Sequence, residues 1–395
     1  HGKREATNGA GNGVIDMDTL AVGGSIALVT NGNGAATVVN DAAIEFAAST
    51  VRGALTATAT TGDITDSGTL TITGASIFTT RVGGSNIVLD SSANAFAAAV
   101  TMKADTGGDE TFGNITFVDS AAVKLHSSAG TNGDLFIDAG TDLAVGGNLS
   151  ITATTGNITQ GSEVAVGGTT TLVTSANDAT ITLNDADNAF TGALTITTND
   201  NSGTDADVTI DGGTTALTLA ASTIDGDLTV RNGNSITDNG TVTVGGNLAA
   251  TTDDNNGLIN LGTLAVDGTV ALTTNGSGNA TVVNDAGLII AASTVGGNLA
   301  ATATTGSMTD SGALTIAGTT TLTTSADNAT IALDTTTNAF TGAVTITTND
   351  NDGTDANVTI DGGTTALTLA ASTIDGDLTV RSGNASGIID NGLVT

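Results

Sequence analysis

The sequence predicts an all-β repeat protein, a parallel β-solenoid of stacked coils of roughly 20–25 residues. Three observations carry this: blocks of the chain recur almost unchanged, short runs alternate apolar residues with Thr, and the composition leaves material for only a thin core. Residues 188–231 and 338–381 are nearly one segment written twice, differing only at Leu194/Val344, Ser202/Asp352 and Asp207/Asn357. A longer offset relates residues 19–102 to residues 263–346, carrying Ile64, Asp66, Gly68, Leu70 and Ile72 onto Met308, Asp310, Gly312, Leu314 and Ile316. The triplet Asn-Ala-Phe opens at Asn94, Asn188 and Asn338. The expected organisation is a single continuous array over residues 1–395, assembled from duplicated blocks. After Asp238-Asn-Gly240-Thr-Val-Thr243 the chain runs on, while the matching Asp390-Asn-Gly392-Leu-Val-Thr395 stops, which predicts a piece of a longer protein.

Within the blocks the runs are strands. Leu217-Thr-Leu219, Leu228-Thr-Val230 and Leu314-Thr-Ile316 place apolar side chains on one face and Thr on the other. β-branched Thr and Val favour pleated backbone, and Gly, Asn and Asp clusters return too often to leave room for a helix. Antiparallel hairpins built from so many near-identical units would offer many equivalent wrong pairings. Coils stacked in parallel at about 4.8 Å place like on like and let Asn or Thr form ladders at the turns. Roughly 16 to 19 coils would then make a rod on the order of 80–90 Å long.

Composition agrees with that geometry. Pro, Cys, Trp and Tyr are absent, and eight Phe with many aliphatic residues must fill the interior, so the cross-section has to be narrow. A hydrophobic content of 39% with 12% charged residues argues against disorder. The net charge of −32, with eight Lys and Arg against 40 Asp and Glu, excludes nucleic acid and anionic membranes as partners. No apolar run approaches the roughly 18 residues of a membrane-spanning helix, so no membrane insertion is expected. Most of the acid is Asp among Asn, Gly and Thr, which suits turns whose carboxylates bond neighbouring backbone N–H groups.

The stretch Val295–Thr324, VGGNLAATATTGSMTDSGALTIAGTTTLTT, resembles the β-strand repeats of bacterial filamentous-haemagglutinin-like large exoproteins. The segments at Asn338–Thr348 and Val358–Val380 are similar to companion motifs of those repeats, and the likeness spans nearly the whole chain. The resemblance implies a right-handed parallel β-helix exported across a Gram-negative outer membrane through a partner pore. It also implies an extracellular or cell-surface role in adhesion, aggregation or matrix building.

Catalytic constellations are hard to assemble. His126 is the one interior histidine, has no triad or metalloprotease spacing around it, and reads as a solvent-facing structural residue. Arg52, Arg81, Arg231 and Arg381 are too scattered for a lyase or hydrolase face, and Arg231 and Arg381 are expected to bridge to neighbouring coils. The candidate metal ligands are Asp350, Asp352 and Asp355, echoed by Asp200 and Asp205, which offer hard oxygen ligands around a Gly turn. With Gly353 at the glycine of a calcium loop, Thr348 and Thr359 stand where its first carboxylate and closing Glu belong, so a plain Asx-rich turn is the alternative. Calcium is the candidate cation, and no cofactor is required. Thr321-Leu-Thr323 and Thr345-Ile-Thr347 raise an ice-binding reading, set aside because the Thr runs are unevenly spaced along the chain. The least repetitive region, Met102 to Asp138 with Phe112, Phe117, Lys124, His126 and Phe136, is the candidate recognition insert, its alternative being a divergent coil.

The function expected is a non-catalytic extracellular rod or filament former that associates with itself head to tail. An adhesin stalk binding host or neighbouring-cell glycans is the alternative, and a β-helix polysaccharide-active enzyme a distant third.

Overall fold

The computed structural model describes residues 2–9, 11–104, 113–126, 134–137, 143–199, 205–254, 256–349 and 355–395. There is no helix among them, every strand pairing is parallel, and the strands stack as a β-solenoid of about 17 turns. The chain resolves into two compact units, His1–Ala206 and Asp207–Thr395.

One turn of the first unit shows how sequence becomes coil. Leu149–Ala153 forms a five-residue strand, Ile158–Gln160 a second and Val164–Val166 a third, before Thr170–Thr174 begins the next turn directly above the first. Register is residue on residue: Leu149 on Thr170, Ile151 on Leu172, Ile158 on Ile181, Ala165 on Ala189. Alternation does the sorting, for Leu149, Ile151 and Ala153 are buried while Ser150 and Thr152 between them face outward. The second unit repeats the scheme with Leu299–Ala303, Met308–Asp310 and Leu314–Ile316 beneath Thr320–Thr324, Ile331–Leu333 and Ala339–Phe340.

The interior is narrow and mostly apolar, as the composition requires. In the first unit Phe46, Phe78, Phe96 and Phe117 form a continuous aromatic stack, with centroid separations of 6.2, 6.2 and 5.2 Å and two edge-to-face contacts. Elsewhere single Phe residues, Phe190 in the first unit and Phe340 in the second, sit fully buried among aliphatic side chains. Three hydroxyls at one repeated inward position, Ser76, Thr170 and Thr320, are buried without a partner. They are places where the repeat alphabet leaves a polar group unsatisfied in the core.

Corners let the turns stack closely. A Cβ added at Gly312 would lie 2.6 Å from the Ala292 nitrogen one turn away, and at Gly68 2.5 Å from that of Ala48, so the Ser-Gly step of the Asp-Ser-Gly motif admits glycine alone. The serine of each Ala-Ala-Ser-Thr run turns back on its own strand. The Ser49 and Ser293 hydroxyls donate to the carbonyls of Ala47 and Ala291 at 2.7 and 2.8 Å and accept the N–H groups of Leu28 and Leu272. At Ile15–Leu20 and Ile259–Val266 the Asp-Ser-Gly corner is missing, and the register shifts between Met17 and Leu20 and between Leu261 and Leu264.

Candidate functional site

The described turns expose two kinds of surface, Asx-rich corners and strand faces rich in Thr, with charged exceptions such as Glu45, Lys103 and Arg231. At the corners the Asx side chains form ladders along the stack. In the first unit Asp63 accepts the N–H of Asn86, Asn86 that of Asn114, Asn114 that of Asn148 and Asn148 that of Thr169, each at 2.8 Å. In the second, Asp207 accepts the N–H of Asp227, Asp227 that of Asn247 and Asn247 that of Thr269. A carboxylate and a carboxamide oxygen serve equally as acceptor there, which explains why Asp and Asn exchange freely between copies, as at Asp207 and Asn357. Asp63, Asp207 and Asp227 therefore do a turn's work.

A second constellation lies deeper. The asparagine of each Asn-Ala-Phe triplet is buried and reaches back one turn: the Asn94, Asn188 and Asn338 carboxamide oxygens accept the N–H groups of Leu70, Val164 and Leu314, each at 2.8 Å. The amide of Asn94 donates to Asp66 at 2.6 Å, that of Asn338 to Asp310 at 2.6 Å, and that of Asn188 to Gln160 at 3.1 Å. The Ala stands at the strand edge and the Phe enters the core, so one triplet supplies turn lock, spacer and core filler.

Burial raises the pKa of Asp66 above the ordinary aspartate value, opposed by hydrogen bonds from Asn94 and the N–H groups of Asp90 and Ser91. Burial raises that of Asp119 as well, opposed by N–H donors from Phe96, Ala121 and Ser120. A carboxyl whose folded value exceeds its unfolded value binds its proton more tightly in the folded state. Its favourable contribution is thus complete below the unfolded value of about 4 and is lost as pH rises through the raised folded value. The midpoint of thermal unfolding of the first unit is therefore expected to rise as pH falls from neutral toward about 4, with a shallower slope in Asp119→Asn. Melts followed by circular dichroism across that range check this, and equal slopes in parent and variant would refute the assignment.

The sequence-predicted site residues are only partly brought into view. Asp200, Asp350 and Asp352 lie outside the described residues, while Asp205 and Asp355 are exposed just before the strands Val208–Asp211 and Val358–Asp361. Among the described residues no three acidic or histidine side chains converge to hold a metal ion. His126 ends the strand Val123–His126 and pairs through its backbone with Phe136. Of the suggested recognition insert, Met102 and Phe117 are core residues, and Phe112 is outside the described residues. Arg231 does bridge turns, as expected: it pairs with Asp253 and stands 3.9 Å from Asp211, whose other oxygen accepts the Gly213 N–H. Arg381 occupies the same register opposite Asp361. What sequence reading missed is the pairing of Asp66 with Asn94 and of Asp310 with Asn338, signalled only by a fixed separation of 28 positions between the two motifs.

A shallow depression of about 260 Å³ opens in the second unit where the Asp-Ser-Gly corner is missing, between Gly262, Leu264, Val283 and Asp285. It holds no second acid or base facing Asp285 and so no acid–base pair.

A protein family described as repeats of unknown function (DUF5649) matches residues 33–103, 112–197, 205–254 and 277–347. These segments cover most of both units and include every copy of the Asn-Ala-Phe triplet. No curated protein and no solved structure matches the chain.

Proposed function

We propose that this chain, which belongs to the DUF5649 repeat family, works outside the cell as a non-catalytic structural element, a rod segment that polymerises head to tail. The observation that carries the reading is the residue-on-residue register. Motifs that recur along the chain are accounted for by stacking: glycines where turns touch, Ser and Asn where strands enter, Asx ladders along the corners. A protein selected for one reactive centre would be expected to break its repeats around that centre, and here near-identical blocks occupy equivalent places in the fold. The similarity to filamentous-haemagglutinin-like exoproteins supports an extracellular, Gram-negative setting.

Electron microscopy of the isolated protein, with and without a calcium chelator, tests the proposal. Continuous filaments with an axial spacing of about 4.8 Å are expected. Fraying on chelation would add calcium at the Asp-rich turns around Asp205 and Asp355. Short isolated rods under every condition would defeat self-assembly and leave the glycan-binding stalk as the better reading.

A further inference from the structure

Stacking turns an irregular sequence pattern into a regular surface. In the second unit, four successive turns place Thr281, Ala300, Thr321 and Thr345 in one outward column, with Val283, Thr302, Thr323 and Thr347 in the column beside it. The first unit does the same with Thr116, Ser150, Thr171 and Thr195 beside Val118, Thr152, Val173 and Thr197. Extra residues between turns fall in the corners, so uneven spacing in sequence becomes even spacing on the face. The grid has steps of about 4.8 Å between turns and roughly 6.6 Å between alternate residues of a strand.

Its chemistry is that of Thr, with Ala300, Val283, Ser150, Val118 and Val173 among them. Neither grid contains a charged or aromatic side chain. The hydroxyls of Thr321, Thr323, Thr345 and Thr347 have no partner among the described residues, unlike Thr218 and Thr237, which bond each other at 3.1 Å. Each must be satisfied by water. Because Thr is stiff at χ1 and the sheet fixes its Cα, the waters so held are spaced by the protein, with the neighbouring methyl groups enclosing them.

We propose that these Thr faces bind ice, the bound waters joining the face to the lattice of the crystal surface. One other occupant of a hydroxylated face is disfavoured by the composition. A crystalline polysaccharide is gripped by aromatic rings, and this chain has no Trp or Tyr. Face-to-face packing of two copies is the occupant that size-exclusion chromatography distinguishes in the test below. The inference is independent of the structural role proposed above, since a rod needs no particular outward face.

The test is ice recrystallisation inhibition by the intact chain, together with adsorption of fluorescently labelled protein to a single ice crystal. The parent protein is expected to keep ice grains small and to decorate defined crystal planes. The double variant Thr171→Lys/Thr323→Lys, which places a charge in each grid, is expected to lose both effects. Thr56→Lys, which lies outside both grids, is expected to keep them. Circular dichroism confirms that each variant folds. Absence of both effects in the folded parent overturns the proposal. So does equal loss in Thr56→Lys and the double variant, or a double variant that changes only self-association by size-exclusion chromatography.

Discussion

Phe78→Ala is expected to destabilise the first unit by about 3–5 kcal/mol, the range for deleting a large aromatic side chain from a packed core. Phe78 is fully buried and stands in the middle of the aromatic stack, 6.2 Å from Phe46 on one side and 6.2 Å from Phe96 on the other. Its two edge-to-face contacts are each worth about 0.5–1.5 kcal/mol beyond burial, so removing the central ring forfeits both. The turns above and below cannot collapse into the void, because their separation is set by backbone hydrogen bonds running along the stack. In a solenoid each turn contacts chiefly its neighbours, so the damage should stay local. Hydrogen exchange should show protection lost around residues 46–117 while residues 299–347 keep theirs. Urea unfolding gives the magnitude, and a loss below about 1 kcal/mol would mean that the stack is not a cooperative core.

Much of this architecture was legible in the sequence because the solenoid writes its constraints with a short period. Alternation in Leu314-Thr-Ile316 specifies a strand with one buried face, and the structure buries Leu314 and Ile316 while exposing Thr315. The scarcity of aromatics specifies a thin interior, and Phe46, Phe78, Phe96, Phe117, Phe190 and Phe340 are found there. The deeper constellation was less legible for a physical reason. Asp310 and Asn338 are partners only because one full turn and a corner intervene, and nothing local in Met308-Thr-Asp310 signals that its carboxylate faces a buried amide. The alignment of the Thr columns is hidden in the sequence by the same mechanism. Linear spacing counts corner residues, and the sheet register does not.

The buried asparagine offers the sharper test of how turns are locked together. Asn338 is fully buried; its oxygen accepts the Leu314 N–H at 2.8 Å, and its amide donates to Asp310 at 2.6 Å and to the Leu333 carbonyl at 3.4 Å. Asn338→Ala leaves the Leu314 N–H, at the entry to a buried strand, without a partner and strips Asp310 of a donor. At about 1–3 kcal/mol for each buried group left unsatisfied, the expected loss is about 3 kcal/mol or more. Asn298→Ala is the matched control. It removes the acceptor for the Thr319 N–H and hydroxyl on an exposed corner, where water replaces the carboxamide, and should change stability by about 1 kcal/mol or less. Asn338→Asp separates the hydrogen-bond argument from simple loss of volume, because it keeps the shape but sets a second carboxylate against Asp310. That variant should be strongly destabilised at pH 7 and recover on acidification as the pair takes up a proton, whereas the alanine variant should not recover. The copy at Asn188 shows the neutral solution to the same problem: Gln160 replaces the aspartate and exchanges two hydrogen bonds with the asparagine, at 2.9 and 3.1 Å. Asp310→Gln should therefore be tolerated where Asn338→Ala is not. If urea unfolding gave Asn338→Ala and Asn298→Ala the same small loss, the turns would be held by strand pairing alone, and the recurrent Asn-Ala-Phe triplet would owe its place to its phenylalanine.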